Sequence, residues 1–267
     1  MIIPFVKMHG LGNDFVIIDQ ANLVDVKDLK KFAIAISDRR LGVGCDQFIS
    51  YSDEQDNVKM SIYNQDGSKA KACGNASRCL SRLIYDKTGK KHITLNVDGR
   101  KVVCEYTDAG KSTVDMGEVS FAQSWMPEKE KLWDIAIRHQ IEPKEMICVD
   151  VGNPHLVIFS KLSDQDKAII GENFQENGLF ADGVNVSFAK IQDDKIFLKV
   201  WERGAGFTYA CGSGAVATFA AANKLGFIEN EAEVIFELGN LNMKKIGSSI
   251  SMSGQTAIIY QGHYFYE

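Results

Sequence analysis

Ala72-Cys73-Gly74-Asn75-Ala76 and Ala210-Cys211-Gly212-Ser213-Gly214 stand 138 positions apart in a chain of 267 residues. One shared Ala-Cys-Gly proves little, but the same spacing aligns more. It lays Met60-Ser61-Ile62-Tyr63-Asn64 on Leu198-Lys199-Val200-Trp201-Glu202. Both alternate apolar and polar residues, the pattern of a half-buried strand. Each ends in a polar residue before a glycine-bearing turn, at Gly67 and at Gly204 and Gly206. At a spacing of 140, Gly12-Asn13-Asp14-Phe15-Val16-Ile17-Ile18 meets Gly152-Asn153-Pro154-His155-Leu156-Val157-Ile158. At 137, Gly110 meets Gly247 and Gly117 meets Gly254. The order never breaks, and loop insertions explain the drift. The chain reads as one unit of about 130 residues used twice.

Each copy predicts the same layout. A strand follows the Gly-Asn pair. A helix comes next in the first copy, where Leu29, Phe32, Ala33 and Ile36 fall at i, i+3, i+4 and i+7. Its counterpart is expected near 164–170. The alternating strand and the Cys-Gly turn follow, then a second helix, from about residue 75 to Lys87 and from about Ser213 to Lys224. Gly89 and Gly226 stand just past these ends, where glycine stops helices. Strands close each copy: Ile93–Val97 and Lys101–Tyr106, then Val234–Leu238 and Ile250–Ser253. In the first cysteine helix Ala76, Cys79, Leu80, Leu83 and Ile84 form one apolar face opposite Arg78 and Arg82. The second, Ala215 to Ala222, is apolar nearly all round, so sheet is expected to wrap it. Turns every eight to twelve residues suggest antiparallel hairpins rather than a βαβ array.

Composition excludes several classes. Thirty basic against 35 acidic residues give a charge of −5, with no basic run to suit nucleic acid or an anionic membrane as main partner. No apolar run approaches the roughly 20 residues that span a bilayer. The start turns polar at His9, Asn13 and Asp14, unlike a signal peptide, so a cytoplasmic protein is expected. Its six cysteines are then reduced thiols serving packing or chemistry, not disulfides.

A cysteine just before a helix N-terminus sits where backbone N–H groups lack partners. That positive end favours thiolate and can lower a thiol from ~8.5 into the ~3.5–7.5 range. The small residues behind it leave N–H groups open to an anion. Two such units, one per face, suit inversion at the α-carbon of an amino acid. One thiolate removes the proton, the opposite thiol supplies another, and the N–H groups stabilise charge building on the carboxylate. Cys45, Cys79, Cys104 and Cys148 read as packing residues. No C-x₂-C pair exists and the five histidines are scattered, so no metal is expected. Two rival readings are a thiol-redox protein and a dinucleotide site. The latter would use Gly212-x-Gly214-x-x-Ala217 with Glu231 as ribose partner.

At these residues the sequence resembles the diaminopimelate epimerase family over essentially its whole length. The carriers are Lys7-Met8-His9-Gly10-Leu11-Gly12-Asn13-Asp14-Phe15, Gly44-Cys45-Asp46-Gln47, Tyr63-Asn64-Gln65-Asp66-Gly67-Ser68, Cys73-Gly74-Asn75, Gly152-Asn153-Pro154-His155, Gly183-Val184-Asn185-Val186, Glu202-Arg203-Gly204 and Ala210-Cys211-Gly212-Ser213-Gly214-Ala215. The resemblance implies an α+β (mixed α/β) fold of two pseudo-symmetric lobes, each an antiparallel-rich sheet wrapped around a long helix. The lobes would span 1–118 plus 256–267, and 119–255, with the active site in a cleft between them. It implies a cofactor-independent, homodimeric enzyme that interconverts LL- and meso-diaminopimelate for lysine and peptidoglycan precursors. Carried over by motif, Cys73 and Cys211 are the acid/base pair. Backbone N–H groups of Gly74, Asn75, Gly212 and Ser213 hold the reacting carboxylate. Asn13, Asn64, Asn153, Asn185 and Arg203 hold the substrate, with Arg203 on the distal carboxylate. Glu202 faces the reacting ammonium, and His155 and Gln47 line the site.

The sequence departs from the family pattern three times. Ala76-Ser77 replaces Gly-Ala, a change expected to tighten the first turn. Phe207 replaces a glutamate before Thr208, and Ser213 replaces threonine while keeping the hydroxyl. A related racemase of proline or hydroxyproline type is the nearest alternative. Arg203 and the asparagines argue against it, because a small cyclic substrate has no distal zwitterion to hold.

Overall fold

The computed structural model describes residues 1–54, 57–70, 73–107, 110–176 and 178–267; Ala72 of the first cysteine motif lies outside the described residues. The chain divides into two compact units, Met1–Asp115 with Ser253–Glu267, and Met116–Met252. Among the described residues it forms seventeen strands and five α-helices.

The first unit carries β1 (Ile2–Gly10), β2 (Asn13–Asp19), α1 (Leu29–Ser37), β3 (Gln47–Glu54), β4 (Asn57–Asn64), β5 (Lys69–Ala70), α2 (Gly74–Thr88), β6 (His92–Val97), β7 (Arg100–Tyr106) and the start of β8 (Lys111–Glu118). Pairing runs β1–β2 antiparallel, β2–β3 parallel, β3–β4 antiparallel, β4–β6 parallel and β6–β7 antiparallel, with β5 on β4. The second unit carries α3 (Lys129–Arg138), β9 (Met146–Asp150), β10 (Pro154–Phe159), α4 (Asp164–Glu176), β11 (Asn185–Gln192), β12 (Lys195–Glu202), β13 (Gly206–Thr208), α5 (Gly212–Lys224), β14 (Glu231–Phe236), β15 (Gly239–Ile246) and most of β16 (Ser249–Gln255). Its pairing is β9–β10 antiparallel, β10–β11 parallel, β11–β12 antiparallel, β12–β14 parallel and β14–β15 antiparallel, with β13 on β12. The two orders are the same. The last strand, β17 (Ala257–Phe265), pairs antiparallel with β1.

Four of these pairs are parallel, which the hairpin reading did not anticipate. Each of them has a helix between its strands in sequence, α1, α2, α4 or α5, because a parallel partner needs a crossover rather than a tight turn. The strand expected over Val234–Leu238 ends at Phe236 instead, since Glu237 and Leu238 form the hairpin turn. Helix α5 is apolar on all sides and packs against β9, β10, β11, β12, β14 and β15, so sheet surrounds it as expected. Helix α2 packs against β1, β2 and β7 and ends on Gly89 at φ 72°, where the left-handed turn favours glycine.

Arg78 corrects the two-faced reading of α2. It is fully buried, whereas Arg82 reaches the surface and pairs with Asp86 at 2.7 Å. The helix is covered on more than its apolar stripe, and a Cβ on Gly10 would stand 3.0 Å from the Arg78 guanidinium. Sequence periodicity cannot see that β1 closes over this charge.

Two interactions hold the first unit's sheet edge. Phe32 of α1 is fully buried, with ring centres 5.3 Å from Phe48, 6.0 Å from Tyr264 and 5.0 Å from Tyr266. Asp14 takes Lys7 at 2.6 Å and both guanidinium nitrogens of Arg39 at 2.8 and 3.1 Å, while Arg39 also reaches Asp46 at 2.7 Å. Burial alone would raise the Asp14 carboxyl, but Arg39 and Lys7 prevail and hold it down at about 2, from an ordinary 3.8.

Phe32→Ala should cost about 3–5 kcal/mol of unfolding free energy by urea denaturation, the range for emptying a buried phenylalanine site; a loss below about 1 kcal/mol would contradict this packing. Because the folded Asp14 is depressed, its stabilisation is present above pH 3.8 and disappears as pH falls through about 2. The melting temperature should therefore drop between pH 4 and 2. Asp14→Asn should melt lower at pH 7 and show a shallower drop in that window.

Candidate active site

Strands β2 and β3 run parallel and β4 runs back along β3. A parallel pair begins at the edge where its antiparallel neighbour ends. Asn13 opens β2, Gln47 opens β3 and Asn64 closes β4, so the three share one sheet edge. The Cys73 turn joins them there. Asn75 Nδ2 donates to Asn13 Oδ1 at 3.2 Å, and Cys73 Sγ lies 3.9 Å from the same oxygen. Asn13 Nδ2 donates to Asp46 Oδ2 at 2.9 Å, and Gln47 Nε2 donates to Asn64 Oδ1 at 2.9 Å.

The second unit repeats the arrangement with other residues. His155, the second residue of β10, pairs with Asn185, which opens β11, and Glu202 closes β12. Asn185 Nδ2 donates to the Pro154 carbonyl at 3.0 Å, while its Oδ1 accepts from the Arg203 N–H at 3.0 Å. Arg203 donates to the Asp182 carbonyl at 2.6 Å. Gly183, at φ 71°, leaves room for that arginine; a Cβ there would stand 2.9 Å from Arg203 Cδ. Asn153 contributes its carbonyl to the Val151 N–H at 3.3 Å. His155 Nε2 lies 3.0 Å from Ser213 Oγ, which lies 3.4 Å from Cys211 Sγ.

Both cysteines are N-cap residues in extended conformation. Cys73 Sγ accepts from the Ala76 N–H at 3.5 Å and Cys211 Sγ from the Gly214 N–H at 3.4 Å. Gly74 and Asn75, like Gly212 and Ser213, open their helices, so their N–H groups lie outside the helical ladder. A Cβ at position 214 would come within 2.9 Å of Val200 Cγ2, so that turn requires glycine. Its counterpart Ala76 is fully buried and makes the same cap, so the added methyl does not close the first turn. Ser77 Oγ donates to the Cys73 carbonyl at 3.0 Å. Phe207 packs edge-on against Trp201 at 4.9 Å, with the Lys199 ammonium 4.5 Å from its ring centre.

The thiol expectation fails at Cys211. Burial, then the Glu202 carboxylate facing it, push the Cys211 thiol well above its ordinary 9.0, against the Ser213 hydroxyl and the Gly214 N–H. The helix end is there, but desolvation outweighs it. Cys79, Cys104 and Cys148 are pushed up to about 12 by burial, and Cys45 is raised by burial too. Burial holds His155 down to about 3, with Asp150 pulling upward and Arg203 adding to the depression.

Three residues at these edges escaped the sequence reading. Asp46 fixes Asn13. Thr208 Oγ1 donates to Glu202 Oε1. Gln175 holds the Glu202 carbonyl at 3.2 Å and the Gly204 N–H at 3.3 Å. Asp46 and Thr208 stood inside or beside recognised blocks; Gln175 lies in α4, where no motif marks it. The dinucleotide reading fails on position. Glu231 begins β14, Glu233 pairs with Lys195 at the start of β12, and the glycine turn follows the other end of β12. Glu231 instead pairs with Lys244 at 3.2 Å. Among the described residues no three His, Cys, Asp or Glu side chains cluster as a metal site.

Comparison with known proteins follows the same residues. Residues 5–122 and 147–259 match the family described as Diaminopimelate epimerase. A protein of that name from Rickettsia bellii (strain OSU 85-389) is 55% identical over 265 residues, covering 99% of this chain and 98% of its own. Another of that name, from Rickettsia prowazekii (strain Madrid E), is 53% identical with the same coverage. Among solved structures, a predicted epimerase from Pseudomonas aeruginosa aligns with TM-score 0.73 at 14% identity, over 99% of this chain and 100% of that one. A hydroxyproline epimerase from Agrobacterium vitis aligns with TM-score 0.66 at 10% identity, over 98% and 92%. Those two share the fold. Through its two matched segments and its full-length relatives, the chain belongs to the diaminopimelate epimerase family.

Proposed function

We propose that the chain interconverts LL- and meso-diaminopimelate by proton exchange through Cys73 and Cys211, with no organic cofactor or metal. The observation that carries this reading is the repeated cap: a cysteine sulfur on the first turn of a buried helix, in two units of the same strand order. The units are then two lobes derived from one ancestral unit, each supplying a thiol for one face of the α-carbon. One sulfur enters as thiolate and takes the α-hydrogen as a proton. The C–H electron pair spreads into the carboxylate, where the N–H groups of Gly74, Asn75, Gly212 and Ser213 hold it. The other sulfur gives its proton to the opposite face, leaving one thiol and one thiolate as before. The raised Cys211 thiol supports its starting as the donor.

The remaining groups select the substrate. Arg203 keeps further guanidinium donors for the distal carboxylate. Asn13, Asn64, Asn153 and Asn185 hold the non-reacting amino-carboxylate end. Glu202 faces the reacting ammonium, and Gln47 and His155 line the site. The setting is cytoplasmic, in precursor synthesis for lysine and peptidoglycan; among the described residues no helix is long and apolar enough to cross a membrane. The enzyme works as a homodimer. Supporting this, Ile258, Ile259, Tyr260 and Phe265 of β17 and Ile2 of neighbouring β1 are all exposed, apolar surface that a second copy would cover.

In D₂O, the enzyme without pyridoxal phosphate should place deuterium at the α-carbon of both substrates. Cys73→Ala or Cys211→Ala should cut epimerisation by roughly 10²–10⁴-fold, the usual worth of an acid/base group. Full activity in either variant rules out the two-thiol mechanism. By sedimentation, Tyr260→Glu should shift the protein from dimer to monomer, because a charge cannot be buried unpaired in such a contact.

A further inference from the structure

The turn that leaves β12 carries two neighbouring side chains with different tasks. Glu202 acts on Cys211 and is held by Thr208, while Arg203 reaches the Asp182 carbonyl ahead of β11 at 2.6 Å. The residues that follow, Gly204, Ala205 and Gly206, have no polar side chain with which to fix the turn. In the first unit the matching turn holds itself: Asn64 Nδ2 donates to Ser68 Oγ at 3.0 Å, and the Ser68 N–H donates to Asp66 Oδ1 at 2.9 Å. In the second, amides from other elements take over. Gln175 Nε2 donates to the Glu202 carbonyl at 3.2 Å, and its Oε1 accepts from the Gly204 N–H at 3.3 Å. Between those two groups, the Arg203 N–H donates to Asn185 Oδ1 at 3.0 Å.

We propose that Gln175 is a positioning residue that sets the length of substrate the site accepts, by holding Glu202 and Arg203 at a fixed separation. This rests on reading Glu202 as the partner of the reacting ammonium and Arg203 as that of the distal carboxylate.

Helix α4 delivers this amide by lying along β12. Near its start, Asp164 pairs with Lys199 at 2.9 Å. Further along, a Cβ at position 171 would stand 2.5 Å from Trp201 Cγ, so the helix meets the strand where only the hydrogen of Gly171 fits. Gln175 is four residues on, over the same face of the helix, and meets the turn that follows Trp201. Ile170 and Phe174 on either side of this line are buried in the core that Trp201 and Phe207 pack against. The helix therefore cannot slide along β12 without breaking that packing. The side chain itself is equally constrained. The Glu202 carbonyl needs a donor and the Gly204 N–H needs an acceptor. A primary amide supplies both, whereas a carboxylate has no donor and an ammonium no acceptor. Diaminopimelate is flexible between its two ends. Such a chain is selected by length only when the groups that take its ends stand at a fixed distance. A loosened turn would let Arg203 follow a shorter or longer substrate.

The test compares the KM of diaminopimelate with the inhibition constants of 2,5-diaminoadipate and 2,7-diaminosuberate, one carbon shorter and one longer, on the full-length protein. In the parent both homologues should inhibit weakly, with Ki well above KM. Gln175→Met keeps the bulk of the side chain and removes both hydrogen bonds. It should raise KM about tenfold, the worth of two neutral hydrogen bonds, and leave both Ki values nearly where they were. Gln175→Asn keeps the amide but ends one carbon short of the turn, so it should behave like Gln175→Met. A merely structural role would lower kcat through fewer folded molecules and leave KM and Ki alone. An unchanged KM in Gln175→Met, or KM and both Ki values rising by the same factor, overturns the proposal. If Gln175→Met does not fold, Gln175→Asn decides. A parent that does not turn over diaminopimelate overturns the reading of the reaction, and this inference with it. A parent that does, beside a Gln175→Met variant of unchanged KM, overturns this inference alone.

Discussion

A sulfur atom at the N-terminus of a buried helix sets the character of this protein. Any buried helix end leaves N–H groups that need partners. A serine or aspartate would satisfy them strongly. Cysteine accepts weakly, at 3.4–3.5 Å here, and leaves the first two N–H groups of each helix outside the ladder. The cap is thus sufficient for the fold and incomplete enough for an incoming anion. The rest of each unit serves that arrangement. Parallel and antiparallel neighbours bring three polar strand ends to one edge, and the helix between β4 and β6, or between β12 and β14, starts beside that edge.

The two units brace the same edge by different means. In the first, Lys7, Asp14, Arg39 and Asp46 form a charged network that ends on Asn13. In the second, neutral amides do the bracing: Asn185 ties the Pro154 carbonyl to the Arg203 N–H, and Gln175 ties Glu202 to Gly204. The difference leaves Glu202 the carboxylate that acts on Cys211.

Local periodicity and turn chemistry made much of this legible in the sequence. The cysteine turns, the helices stopped by Gly89 and Gly226, and the strand ends at Asn64 and Glu202 all depend on neighbours close in the chain. What the sequence hid depends on distant ones. A helical wheel sees Arg78 as a polar face because charge is usually solvated, but β1 and β7 cover it. The helix dipole predicts a low Cys211 thiol, but desolvation and Glu202 come from other elements. Gln175 lies in a helix whose sequence has no motif, and it matters only because α4 passes the Glu202 turn. Parallel pairing was equally hidden, because a strand's own residues do not show the direction of its partner.

The return of β17 to β1 has a consequence for how the chain is made. The first unit includes both termini, with the Met1 ammonium on the Tyr266 carbonyl and β17 filling the edge of β1. On the ribosome, where residues emerge at roughly 5–20 per second, the N-terminal sheet must wait for the last strand with one edge unpaired. The second unit is continuous in sequence and needs no such wait. The later-made unit is therefore the first that can be complete. Until then β1 presents an open strand edge, the kind of surface that invites wrong pairing. The final dozen or so residues are thus the step that protects the first ones.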